Sequence, residues 1–454
     1  MKWRDIVRRA GPPAAILVAA ALGIAVSGLL NSQGPAVGAS WTGWLNSGLE
    51  NYAATASQWN SGDNAVQVAL PGDRALWLFN DSYYGPVHAD GTVSPGTPLV
   101  RNMMLLTSGS GRSFKVTGTI TGPVSNGVPA AVVYPVAGSP AGSWAWPDGG
   151  IVAGRSVEAI YTVFAQEGPG PLDYVPVANE VVTMPLASLT QPSSYVIRPF
   201  SFSQASLTAG CGFGGTGCIQ WGIGLLDATS CPPQTLLSAC TYIYGEVWPA
   251  PGDSRRTLVV AVAPQDDLAD VSTWWYDTTS GWSRSLPAPT GPPGSGLAAP
   301  LGRDTSFSAG SVYKIADGDY LVLGSGRGGI VAYYARDPWL SGARPVRLFS
   351  EPASRGVPGF LAYQFHIEPA YSHGTSVVIG FSVTSFDHDS NCVNYAPFYD
   401  VAAYQPKFSS VTLPAHAGAP DPQALPPPQR HPFRPKARPS PTAGSWSSGS
   451  CPTP

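Results

Sequence analysis

The chain has 454 residues and a formal net charge of −3, and charged residues make up only 12% of it, about half the usual share. No clustered basic face gives it an electrostatic footprint for nucleic acid, so that partner class is set aside. The 52 Gly, 47 Pro, 14 Trp and 19 Tyr describe a turn-rich, aromatic-rich chain with little helix-forming material, which predicts an all-β extracytoplasmic fold.

From the N-terminus, Met1 to Arg9 is basic, Ala14 to Leu30 is apolar, and Val37-Gly38-Ala39 supplies small residues before Ser40. This pattern predicts an export segment over residues 1–39, either a cleaved signal peptide or a membrane anchor. The apolar run is about 17 residues, at the lower limit for crossing a bilayer. In both cases the basic flank stays inside and the remaining chain is secreted or held on the outer face of the membrane.

Next comes a predicted hairpin from Asp63 to Asp81, with Pro71-Gly72-Asp73 midway between the two carboxylates. Folding about Gly72 sets Asp63 and Asp81 across from each other on adjacent strands. Like charges so placed cost a sheet roughly 0.2–1 kcal/mol, so the pair calls for a reason.

Short aromatic and β-branched strands then recur at Arg74–Asp81, Ser156–Ala165, Thr241–Val247, Asp319–Ser325 and Ser376–Thr384. Most are followed by a second strand, as at 256–263 and 329–335. Five such units over residues 40–412 predict a five-bladed β-propeller. A pair of β-sandwiches would also use many short strands but does not explain the regular spacing.

Six cysteines in an exported chain suit disulfides, and the spacing predicts two local staples, Cys211 with Cys218 and Cys231 with Cys240. Cys392 and Cys451 remain, either paired or one of them free. The absence of a CxxC or Cys/His cluster speaks against zinc. Residues 413–454 are Pro- and Ser-rich and predict a disordered tail. Arg430, Arg434, Lys436 and Arg438 make it locally basic, either as a solvated tail or as an attraction to an anionic envelope surface.

Two adjacent carboxylates suit glycoside hydrolysis, in which one protonates the leaving oxygen and the other attacks the anomeric carbon or activates water. Ionising the first raises the pKa of the second, leaving one acid and one base. Asp63 and Asp81 are therefore the candidate catalytic pair; strand-end caps bonded to loop amides are the plainer alternative. The Trp-Leu-Phe flank of Asp81 favours that residue as the acid.

Asp148 in Trp146-Pro147-Asp148-Gly149 is a candidate for binding a sugar hydroxyl, or an ordinary turn aspartate. Glu246 is a further candidate contact and a reserve acid, or a surface strand glutamate. Trp146, Tyr83 and Tyr84 are candidates for stacking on sugar rings, with Trp59 nearby; packing between blades is their alternative. His366 and Glu368 alternate on one strand face, so His366 is either a substrate or cation contact or a satisfied core histidine. Asp387-His388-Asp389 lacks the regular ligand spacing of a calcium loop. No metal or other cofactor is therefore predicted. Serine-hydrolase, nucleotide and zinc-protease motifs are absent.

Several segments carry a family resemblance: Gly62-Asp63, Asp73 through Ser82 and Arg101-Asn102, then Trp146 to Gly149, Trp221-Gly222, Tyr242 to Gly245, Asp267 through Trp274, Gly281-Trp282, Ala335 to Trp339 and Tyr404 to Phe408. In this order they resemble an actinobacterial family of five-bladed propeller domains, formerly of unknown function, whose characterised relatives are endo-D-arabinanases of the cell wall. The cysteine-bearing insertion in the third unit departs from that pattern. The resemblance implies an exported, monomeric glycoside hydrolase acting on a furanose polysaccharide, with cell-envelope D-arabinan as its substrate and Asp63 and Asp81 as its working pair. The competing reading is a non-catalytic propeller that binds glycan or an envelope partner.

Overall fold

The computed structural model describes residues 39–413, except 167, 169–173, 201–218, 248–256, 287–295, 302–310, 317–318, 327–328, 350–359, 388–391 and 394–400. The expected export segment, the tail beyond Leu413, His388, Asp389 and Cys451 lie outside the described residues.

The chain is mostly β. Among the described residues five antiparallel sheets of four or five strands follow one another along it, with two smaller sheets. The first sheet runs Val66–Leu70, Arg74–Phe79, Met103–Ser108 and Lys115–Ile120. The second opens on Trp144–Ala153, the third on Ile219–Ala228 and the fourth on Val312–Ala316. In the fifth, Phe360–Ile367 pairs with Ser376–Asp387, which pairs with Lys407–Thr412. Ala39–Trp41 adds to Lys407–Thr412 as an antiparallel edge strand, joining the start of the described chain to its end.

All five strands expected from aromatic and β-branched recurrence are the second strands of these sheets: Arg74–Phe79, Ser156–Gln166, Cys240–Val247, Asp319–Gly326 and Ser376–Asp387. Second strands carry apolar side chains on both faces because each sheet is covered on both sides. Five buried clusters fill the boundaries between sheets. Val68 and Leu78 meet Ala159 and Tyr161 between the first and second, and Ile160 meets Trp221 between the second and third. Tyr242 and Val260 meet Val322 between the third and fourth, and Leu321 meets Phe365 between the fourth and fifth. The fifth boundary closes back on the first, where Phe408 and Val378 pack with Trp77 and Phe79.

One feature departs from the all-β expectation. Gly43–Ala56 is an α-helix, α1, the only one among the described residues, and it seals the last boundary with Leu45, Leu49 and Ala53. The four-residue spacing of those three is an apolar helical stripe. No helix among the described residues is long and apolar enough to cross a membrane.

The two expected staples fare differently. Cys231–Cys240 is formed, and it is the one disulfide among the described residues. The expected bond between Cys211 and Cys218 lies outside the described residues.

Candidate active site

The hairpin of the first sheet positions the acids. Leu70 faces Arg74 across the turn, and Gly72 (φ 79°) and Asp73 (φ 55°) take the left-handed conformations that a tight three-residue connection requires. The register continues from Val66 opposite Leu78 to Gly62 opposite Ser82, which places Asp63 opposite Asp81 just beyond the strand ends. The Asp63 N–H donates to the Asp81 carbonyl (3.2 Å), and the Asn80 N–H donates to that of Asp63 (3.0 Å). Both side chains are buried, with 9% and 7% exposure.

Their surroundings differ. The Tyr363 hydroxyl, from the fifth sheet, donates to Asp63 Oδ2 (2.7 Å). Oδ1 of Asp63 has no hydrogen-bond partner among the described residues, although the Tyr404 hydroxyl lies near enough to favour the ionised form. Burial, followed by the charge of Asp81, pushes the Asp63 carboxyl up to about 7. Burial also raises Asp81, but against it stand the Arg101 guanidinium, 2.9 Å from Oδ2, and the Trp146 indole N–H, which donates to Oδ1 (3.1 Å). Arg101 is half exposed and stacks over Trp144 at 4.4 Å. The expectation that Asp81 is the acid rested on an apolar flank. Burial raises both carboxyls, and only Asp81 has a cation that opposes the rise, so the pair is electrostatically unequal.

Asp148 projects from a bulge in the first strand of the second sheet, between Pro147 and Gly149. A bulge re-aims the side chain it carries. Here the backbones also come close, since a Cβ on Gly149 would run into the Gly222 carbonyl of the third sheet. Asp148 Oδ1 accepts from the Gln220 amide and Oδ2 from the Thr162 hydroxyl (2.6 Å). Burial raises its pKa to about 7. Thr162 also lies 3.1 Å from Asn179 Oδ1. One hydroxyl proton cannot serve two acceptors, and a protonated Asp148 removes that conflict.

Each aspartate is thus tied across a sheet boundary: Asp63 to the fifth sheet, Asp81 to the second and Asp148 to the third. Asn64 (φ 53°) locks the junction. Its amide donates to Asn80 Oδ1 (2.9 Å) and the Pro147 carbonyl, and its backbone N–H donates to Ser382 Oγ (2.7 Å). Its Oδ1 therefore accepts from His366 Nε2 (2.7 Å), which fixes the tautomer of a histidine whose pKa burial lowers to about 4. His366 is a satisfied interior group that steadies Asn64.

Glu246 is almost fully buried on the second strand of the third sheet, opposite Gln220, rather than on the surface. Trp146 packs edge-on against Trp144 and Tyr174 and remains partly exposed. Tyr83 is buried edge-on against Tyr404, with Asp81 close enough to raise its pKa. Tyr84, on the opposite strand face, packs with the core beside α1, as does Trp59. Of these aromatics the structure brings Trp146 and Tyr83 to the acids and leaves Tyr84 and Trp59 in packing roles. Among the described residues no cluster of three His, Cys, Asp or Glu side chains forms a metal site.

The sequence reading missed Tyr363, Tyr404 and Asn64 and left Arg101 without a role. Arg101 stood in a noted Arg-Asn pair; the other three join the site through contacts some 300 residues apart in sequence, as in Tyr363 to Asp63.

A buried carboxyl raised to about 7 thus lies beside a second carboxyl paired with a guanidinium, where the first sheet meets the second and the fifth. The chain belongs to the family described as "Domain of unknown function (DUF5005)", whose profile matches residues 46–413. No curated protein matches the chain. Among solved structures, a candidate hydrolase from Bacteroides ovatus ATCC 8483 superposes with a TM-score of 0.56 at 16% identity, covering 80% of this chain and 88% of its own. A family 117 glycoside hydrolase from Zobellia galactanivorans has a TM-score of 0.39 at 9% identity, with 80% and 86% covered. An alpha-L-arabinanase mutant from Cellvibrio cellulosa has a TM-score of 0.36 at 13% identity, with 78% and 92% covered. These are likenesses of fold.

Proposed function

We propose that this protein is an exported glycoside hydrolase whose five sheets are the blades of a five-bladed β-propeller, and that it cleaves a furanose polysaccharide, cell-envelope D-arabinan being the substrate to test first. The fold shared with a candidate hydrolase is consistent with this reading. The observation that carries it is the asymmetry of the facing pair: Asp63 is raised to about 7 with no cation beside it among the described residues, and Asp81 is backed by Arg101 at 2.9 Å.

Asp63 is the general acid that protonates the leaving glycosidic oxygen through Oδ1, the oxygen that Tyr363 does not hold. Asp81 is the carboxylate that attacks the anomeric carbon or draws a proton from water. Arg101 and the Trp146 N–H hold Asp81 ionised and oriented. Tyr363 fixes Asp63 Oδ2, and the Tyr404 hydroxyl lies beside the same carboxyl. Asp148 donates to or accepts from a sugar hydroxyl beside the pair, and the exposed edge of Trp146 lines the ring.

The test is release of oligosaccharide from D-arabinan by the purified protein, repeated with Asp63→Asn and Asp81→Asn. Turnover by the wild-type protein and its loss in both variants supports the assignment. Turnover that survives either substitution within about threefold removes the pair from the mechanism, and glycan binding without turnover on a broad panel supports a binding module instead.

A further inference from the structure

The far end of the third sheet carries a cavity. The first strand of that sheet starts beside Asp148, where Gln220 reaches it, and ends at Ala228. At about 3.3 Å per residue the next residues, Thr229 and Ser230, lie some 25–30 Å from the acids. There they line a cavity of about 390 Å³ together with Lys314, Tyr320, Arg336 and Trp339. A space of that size holds a small ligand.

Its walls are built in advance. Tyr242 and Tyr244 alternate on one strand face; the Tyr242 hydroxyl donates to the Ser230 carbonyl (2.8 Å), and that of Tyr244 donates to the Pro338 carbonyl (2.5 Å). Two neighbouring side chains thus tie the Ser230 loop and the Pro338 loop to the same strand. Trp339 stacks on Tyr242, with ring centroids 6.4 Å apart at 26°. Cys231–Cys240 closes the Ser230 loop on the other side. This disulfide and the Ala335 to Trp339 segment, which the acid site leaves unused, both find a place here.

The charges are uneven. Lys314 and Arg336 are exposed cations at the rim. Asp337 also lines the cavity, but its Oδ1 accepts from the Ser341 N–H (2.9 Å) of its own loop. Hydroxyls, two aromatic rings and two cations, against the one Asp337 carboxyl held by its own loop, form the surface that a sugar bearing an acidic group would meet.

We infer that this cavity is a second binding site, separate from the acids, for a saccharide unit carrying a carboxylate or a phosphate. Trp339 and Tyr320 provide the ring contact, Thr229 and Ser230 bond to hydroxyls, and Lys314 and Arg336 take the anion. The site lets the protein hold an acidic glycan at one end while the other end meets the polymer it cuts.

The experiment is calorimetric titration of the full chain with digalacturonate, glucose 6-phosphate, arabinobiose and inorganic phosphate. Digalacturonate or glucose 6-phosphate binds, and whichever binds more tightly names the acid. Arg336→Gln, and separately Lys314→Gln, weakens that binding about tenfold, while Asp63→Asn leaves it unchanged. Both cations are exposed, so their removal leaves the fold intact. The inference is overturned if neither acidic sugar binds, if both rim variants bind as the wild type does, or if inorganic phosphate alone binds as tightly as the sugar phosphate. Loss of arabinan cleavage in Asp63→Asn with this binding retained separates the two sites; loss of both together overturns their independence.

Discussion

Asp63 and Glu368 are both buried carboxyls held in the protonated direction by burial, yet their neighbourhoods differ. Glu368 follows the first strand of the fifth sheet and is fully buried, and neither of its oxygens has a hydrogen-bond partner among the described residues. Gly380 leaves room for one of them, with Phe408 next to the same space. Burial alone drives its pKa well above the carboxylate range. Asp63 adds a facing carboxyl and a tyrosine donor. A raised pKa by itself marks desolvation; a raised pKa opposite a group held ionised marks a place where a proton can be passed.

The largest expected effect follows from that difference. Asp63→Asn and Asp81→Asn each lower arabinan turnover by about a thousandfold, whereas Glu368→Gln, which keeps the shape and the neutral state, stays within about twofold. Equal losses in all three, read as kcat in a reducing-sugar assay, would erase the distinction. Next in size is Arg101→Gln, expected to lower kcat by roughly tenfold to a hundredfold. Its pH profile sharpens the point. In the wild type the alkaline limb follows Asp63, so activity falls as pH rises through about 7. Without the guanidinium Asp81 ionises later, and the acid limb moves upward while the alkaline limb stays. Trp146→Phe keeps the ring and removes one N–H bond to Asp81, for a loss of about threefold to tenfold in kcat.

The smallest effect is on stability. Asp148 and Glu158 are raised to about 7 and Glu180 to about 8, in each case by burial. Their folded pKa values exceed the unfolded ones, so the stability they contribute is complete below about pH 4 and is lost as pH rises through about 7 to 8. Calorimetry should show the midpoint of unfolding falling by several degrees between pH 5 and pH 8.5, and by less in Glu368→Gln. A midpoint that rises over that range contradicts the burial account.

Much of this was legible in the residues. The Pro71-Gly72-Asp73 turn dictated a local pairing, and a local pairing sets a register that carries Asp63 to Asp81. Second strands announced themselves because burial on both faces favours apolar side chains on both, leaving only a few polar positions such as Thr162 and Glu246. Bulges are different: the extra residue at Asp148 and the left-handed Gln364, beside the shift between Tyr363 and His366, leave no periodic mark. They nevertheless aim the groups that complete the site. The electrostatic inequality of the pair was also hidden, since Arg101, 20 positions along the chain from Asp81, reaches it only once two short intervening strands are folded. α1 was readable from Leu45, Leu49 and Ala53 but was obscured by a composition dominated by Gly and Pro.

The most direct test of the division of labour is turnover of a dinitrophenyl arabinofuranoside, whose leaving group needs no proton. Asp63→Asn should cleave it within about tenfold of the wild-type rate while remaining about a thousandfold slow on arabinan, and Asp81→Asn should fail on both. If Asp81→Asn is instead the variant rescued by the activated substrate, Asp81 is the acid and the assignment drawn from Arg101 is wrong.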